Sequence, residues 1–121
     1  MSQKIKNWLF VFLWLVIIFS FSHISGDSTE PFKEWEFILR KTAHVTEYAI
    51  LTFLLIHAFG EYKLTKIKVV SLAVLMAVLY ALSDEYHQTF ISGRHGVLGD
   101  VLIDSGGIFL AAWLSRRKMV K

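Results

Sequence analysis

The chain has no cysteine and a single proline, and only 19% of its 121 residues are charged. Without cysteine there are no disulfides, no thiolate metal ligands and no thiol nucleophile. One proline alongside 15% aromatic residues excludes an unstructured chain, which is proline-rich and poor in aromatics. Zinc-finger, phosphate-loop and dinucleotide-binding spacings are missing as well. What the sequence has in excess is apolar side chains, 55% of the total, with a mean hydropathy of +0.50. Soluble domains carry roughly 45–50% apolar and about 25% charged residues. A chain this short buries only about two thirds of its unfolded surface in water, so the composition implies lipid as the solvent. The formal charge of +3 does not point to nucleic acid, because the basic residues flank apolar runs instead of covering one polar face.

Four apolar stretches stand out, and they predict helices over about 8–24, 37–59, 67–90 and 97–114. A membrane-crossing helix needs about 20 mostly apolar residues, and each stretch is long enough if the polar ends of the second and fourth are tolerated. The runs are too long for strands and lack period-two alternation. Gly26-Asp27-Ser28-Thr29-Glu30-Pro31, Gly60-Glu61-Tyr62-Lys63 and Ser92-Gly93-Arg94-His95-Gly96 separate them with turn residues. The expected architecture is all-α, a four-transmembrane-helix bundle forming a single domain over residues 1–121.

Orientation follows from lysine and arginine, which are retained on the cytoplasmic side. Nine of them (Lys4, Lys6, Lys63, Lys66, Lys68, Arg116, Arg117, Lys118 and Lys121) fall on one side of this topology. Lys33, Arg40, Lys41 and Arg94 fall on the other. Both termini are therefore expected in the cytoplasm, with the chain in a bacterial inner membrane. A rival reading takes the first stretch as a secretory signal, with Ser20-Phe21-Ser22 as a small-x-small cleavage site. That run is long and aromatic for a signal, and its loss would leave an odd number of crossings.

In this topology the outer ends of helices two, three and four lie at one depth, and those ends carry the polar residues. Lys41, His44 and Tyr48 form a stripe at helical spacing with Glu47 beside it; Tyr80, Ser83, Asp84, His87 and Gln88 form another. Glu85 lies off the centre of that second arc. Asp100, Asp104, Gly107 and Ala111 form a third stripe, with small residues that let a neighbouring helix approach. A charge at mid-bilayer costs about 2.5–3.5 kcal/mol on insertion scales. Asp84 and Glu85 sit near a helix C-terminus, where the macrodipole disfavours negative charge, so they need a compensating partner. The candidate catalytic residues are His44, Asp84 and Glu85. Lys41, Tyr48, Gln88, Arg94, Asp100 and Asp104 are candidates for substrate binding. Arg94, between Gly93 and His95, presents a planar fork suited to phosphate or carboxylate. Oxygen ligands at Asp84, Glu85 and Asp100 suit a hard divalent ion, but the spacing demands neither a metal nor a cofactor. His57, His23, His95 and the four tryptophans read as structural or interfacial.

These residues carry a resemblance. The order Lys41-x-x-His44-x-x-x-Tyr48, Asp84-Glu85-x-x-Gln88-x-Phe90, Gly93-Arg94 and Asp100 resembles the VanZ-like family of small bacterial membrane proteins, over nearly the whole chain. The family pattern more often has Asn where this chain has Asp104. The resemblance implies a cell-envelope protein. The family's namesake is linked to low-level resistance to the glycopeptide teicoplanin. From the residues themselves two readings stand side by side. One is acid/base chemistry on a lipid-linked or envelope substrate. The other is a non-enzymatic binder of an envelope precursor or partner protein, whose polar residues form a structural ion-pair network. A transport pathway would require an oligomer of so small a chain.

Overall fold

The computed structural model describes residues 2–23, 34–88 and 98–119, with side chains over 2–20, 42–87 and 102–117. It holds four helices: α1 (Gln3–His23), α2 (Glu34–Phe59), α3 (Lys66–Gln88) and α4 (Leu98–Met119). The two described starts are capped by hydroxyl residues. The Ser2 hydroxyl accepts from the Ile5 N–H at 3.3 Å, and the Thr65 hydroxyl accepts from the Lys68 N–H at 3.3 Å. Each satisfies a donor that the first turn of a helix leaves without an intrahelical partner. α2 ends just before Gly60, whose N–H still reaches the Ile56 carbonyl at 2.8 Å before the chain turns.

α1 begins five residues before the apolar run, and α4 continues five residues beyond Leu114. The difference is physical. Apolar residues report how much of a helix lies in lipid, whereas the backbone ladder continues through charged flanks such as Lys4, Lys6, Arg116 and Arg117. α1, α2 and α3 each contain a window long and apolar enough to cross a membrane: Gln3–Ser20, Thr42–Phe59 and Lys66–His87, with mean hydropathies of 1.4, 1.2 and 1.9.

α2 is the hub. It packs against all three other helices, α3 also packs on α4, and α1 touches α3 only lightly. The core is built from matched seams. Ala73, Ala77 and Ala81 recur every fourth residue on α3 and are fully buried, so the backbones of neighbouring helices come close along that line. α2 contributes Tyr48, Leu51 and Leu55, and α4 contributes Ile108 and Ala111. The outward faces carry exposed large side chains, among them Phe12 on α1, Leu79 on α3 and Phe109 on α4. In water such surfaces would be a liability, whereas in lipid they are the expected exterior.

Several long-range hydrogen bonds clamp α1 to the rest, two of them near its middle. The Trp14 indole N–H donates to the Glu47 carbonyl at 2.9 Å, and the Tyr80 hydroxyl donates to the Leu15 carbonyl at 2.8 Å. Tyr80→Phe is expected to lower unfolding stability by about 0.5–1.5 kcal/mol, the net worth of one such bond. Denaturant unfolding in detergent measures it, and an unchanged midpoint would show that the clamp holds nothing.

Candidate functional site

α2 enters the bundle at the end where α3 leaves it and α4 begins, so the first turns of α2 and α4 meet the last turns of α3. Helical spacing then decides which side chains face inward. His44 and Tyr48, four residues apart, lie on one face with ring centroids 6.2 Å apart, and Tyr48 and Tyr80 lie 6.4 Å apart. Opposite them stand carboxylates from two other helices. The His44 Nδ1 lies 3.5 Å from Asp104 Oδ1, an ion-pair contact more than a hydrogen bond. The Tyr48 hydroxyl donates to Asp84 Oδ2 at 3.0 Å.

Burial separates these two contacts. Tyr48 is fully buried and Asp84 is 5% exposed, so their bond lies inside the bundle. Asp104 is 2% exposed, but the His44 side chain keeps 18% of its surface open. A buried carboxylate is expensive unless a donor or cation faces it. Tyr48 supplies the donor for Asp84, and His44 supplies the partner for Asp104.

Glu85 is buried, at 7% exposure. It is one of the candidate catalytic residues, although it lies off the centre of the arc through Tyr80, Asp84 and His87. It is buried because α3 faces α2 on one flank and α4 on the other, and therefore has two inward lines. Glu85 continues the alanine seam, four residues beyond Ala81. The run Ala73-x-x-x-Ala77-x-x-x-Ala81-x-x-x-Glu85 is a signal that could have placed it. Glu47 is half-buried beside His44. His87 stacks on Phe19 of α1, with centroids 4.7 Å apart and planes 34° apart. Trp14 and Tyr80, read from sequence as packing or interfacial aromatics, reach across to the backbone behind the site.

Of the sequence-derived candidates, His44, Tyr48, Asp84, Glu85 and Asp104 are brought to one end of the bundle. Arg94 and the side chains of Lys41, Gln88 and Asp100 lie outside the described residues. Among the described residues no three His, Asp or Glu side chains are grouped to hold a metal ion. His57, at the opposite end, is exposed, and its Nδ1 lies 2.8 Å from the Phe53 carbonyl.

Three apolar helices of membrane-crossing length, in a bundle that also buries carboxylates, define the class of a small helical membrane protein. The family model described as VanZ/LLP1 matches residues 7–119, and the chain belongs to this VanZ-like family. No curated protein and no solved structure matches it.

Proposed function

We propose that this protein is a four-span inner-membrane protein with both termini cytoplasmic, and that its polar site does acid/base chemistry on a lipid-linked or envelope substrate at the outer surface. The observation that carries this reading is the His44–Asp104 pair: a partly open imidazole backed by a buried carboxylate from another helix. An Nδ1–H directed at Asp104 fixes the tautomer and leaves Nε2 as the basic nitrogen. That nitrogen takes a proton from an attacking hydroxyl or water and returns it to the leaving group, while Asp104 stabilises the imidazolium. Tyr48 positions Asp84 beneath the pair, and Glu85 adds a further carboxylate. Arg94, Lys41, Gln88 and Asp100 are assigned to substrate by sequence. The VanZ-like membership links the reading to teicoplanin-type resistance.

Two further features support the orientation. At the end opposite the site, Lys4 Nζ lies 4.8 Å from the centroid of Tyr62, and the Arg117 guanidinium lies 5.1 Å from that of Trp113. The Trp8 N–H donates to the Tyr62 hydroxyl at 3.0 Å. Aromatic rings paired with basic groups are what a headgroup-level belt on the cytoplasmic side contains. The bonds that join Trp8, Trp14 and Leu15 to residues later in the chain fit a permanent first span better than a cleaved signal. Because the chain has no cysteine, single cysteines at Lys63 and Ser28 report topology cleanly. Ser28→Cys is expected to react with an impermeant maleimide in whole cells and Lys63→Cys only after lysis; the reverse pattern would overturn the orientation.

The binder reading draws on one observation, the depth of the Tyr48–Asp84 bond, which suits a structural network. The exchanged pair His44→Asp with Asp104→His separates the two. A network tolerates the exchange, because one contact is replaced by its mirror. Chemistry does not, because the basic nitrogen moves to another helix. Teicoplanin susceptibility of cells expressing each form is the readout. Chemistry predicts that the exchange returns susceptibility to the empty-vector level, and restored resistance would defeat it.

A further inference from the structure

A crevice of about 280 Å³ runs along the bundle between α1, α2 and α3. Leu51 and Leu55 of α2 form its floor, and Leu15, Met76 and Leu79 form its walls. Its remaining lining is Tyr80 and Ser83, the only residues there with polar side chains. The floor is sealed, with Leu51 at 0% and Leu55 at 2% exposure, whereas Met76 and Leu79 at the mouth are 40% and 54% exposed. The crevice therefore opens sideways from the bundle, where a bilayer presents its hydrocarbon.

The crevice and the polar site share helix faces. On α2, His44, Tyr48, Leu51 and Leu55 recur at spacings of four, three and four. On α3, Met76, Tyr80, Ser83 and His87 do the same. The crevice thus lies on the same helix faces as the site, with Leu51 two turns from His44 along α2. Ser83 adjoins Asp84 in sequence, and Tyr80 stacks toward Tyr48, which Asp84 holds. Across the gap, α1 is pinned to α3 by the Tyr80–Leu15 bond and by the Phe19–His87 stack. Elsewhere the two helices hardly meet, which is why space remains between them.

Shape decides the occupant. From Met76 to Ser83 is about 10 Å of helix. Spread over that length, 280 Å³ leaves a cross-section of about 28 Å². A helix with side chains has a diameter of about 10–12 Å and does not fit. Water is disfavoured too: a closed apolar cavity of about 150 Å³ stays dry and takes up benzene. The Tyr80 hydroxyl, already donating to Leu15, offers little to a polar guest. One hydrocarbon chain is the remaining fit.

We propose that this crevice seats one acyl chain of a membrane glycerophospholipid and delivers its head group to the His44–Asp104 site, so that the substrate class is a lipid. This rests on reading that site as a ligand site.

The test uses the full chain in nanodiscs of dioleoyl phosphatidylglycerol, released into native mass spectrometry. Wild-type protein is expected to retain one lipid. Leu79→Trp, which fills the mouth from an exposed position, lowers the lipid-bound fraction about tenfold. Met76→Phe, a smaller graft at the same mouth, gives a smaller loss, so the result does not depend on one variant folding. Leu75→Trp, equally exposed but not lining the crevice, leaves retention unchanged. Absence of retained lipid in the wild type, equal retention by Leu79→Trp, or an equal loss with Leu75→Trp would each overturn the proposal. His44→Gln touches only the head-group end, so it loses less lipid than Leu79→Trp. If Leu79→Trp sheds lipid while His44→Gln retains resistance, the chemistry at the site is wrong and the crevice stands. If His44→Gln loses resistance while no mouth variant sheds lipid, the crevice is wrong and the site stands.

Discussion

Cells expressing His44→Gln are expected to return to the teicoplanin susceptibility of an empty vector, with the protein still present in the membrane. A positioned general acid or base supplies about 10²–10⁴-fold in rate, and removing the imidazole paired with Asp104 removes that contribution. Glutamine is the informative replacement. Its amide still donates toward Asp104, so the buried carboxylate keeps a partner and the fold is spared the cost of an orphaned charge. It cannot exchange a proton near neutral pH. A variant that keeps resistance at normal abundance would end the acid/base reading. Asp104→Asn should behave differently. Its Oδ1 still accepts from an Nδ1–H at His44, and asparagine is the commoner residue here in the pattern that this chain resembles. The loss is expected to stay within about tenfold, or about 1.4 kcal/mol of transition-state stabilisation. Measured side by side, the two variants tell whether the carboxylate's charge or its orientation of the ring carries the effect.

Much of this end of the molecule is legible in the sequence, and the illegible part has a clear cause. Hydropathy marks how deep a residue sits, and a period of 3.6 marks which face it takes. Together they place His44, Tyr48, Asp84 and Asp104 at one depth and turned inward. Neither says which acid meets which donor, because that depends on how far each helix is rotated about its own axis. Asp104 for His44 and Asp84 for Tyr48 emerge only from the packed bundle. Glu85 shows the same limit from another side. One arc per helix is the natural reading of a stripe, but a helix wedged between two neighbours has two buried lines, and the alanine seam ending at Glu85 is the second. The clamps from Trp14 and Tyr80 were hidden for a simpler reason. Their acceptors are main-chain carbonyls, which every residue has and no side chain advertises. α1 and α4 run past their apolar stretches because lipid depth and helix length are different quantities.

The tightest joint in the bundle gives the sharpest expectation for stability. Gly107 of α4 lies against the backbone of α2 at Val45. A methyl group built on it would collide with the Val45 carbonyl oxygen and come within 2.8 Å of its Cγ1 and 3.2 Å of its carbonyl carbon. A flexible side-chain tip gives way cheaply, but a backbone does not, so the two helices must part. Overpacking of this kind costs about 1–3 kcal/mol, and the upper end is expected for Gly107→Ala. The adjacent glycine is the built-in control. A Cβ at Gly106 would meet nothing within 4 Å, and an alanine in mid-helix is favoured over glycine by roughly 0.5–1 kcal/mol. Gly106→Ala should therefore unfold at the same denaturant concentration as wild type or higher, and Gly107→Ala lower. Equal stability of the two would mean that α4 does not approach α2 so closely. The consequence reaches the site, because Val45 follows His44 directly and Gly107 lies one turn beyond Asp104. Prising α4 from α2 at this joint widens the His44–Asp104 contact, so Gly107→Ala should lose resistance even where enough folded protein remains in the membrane.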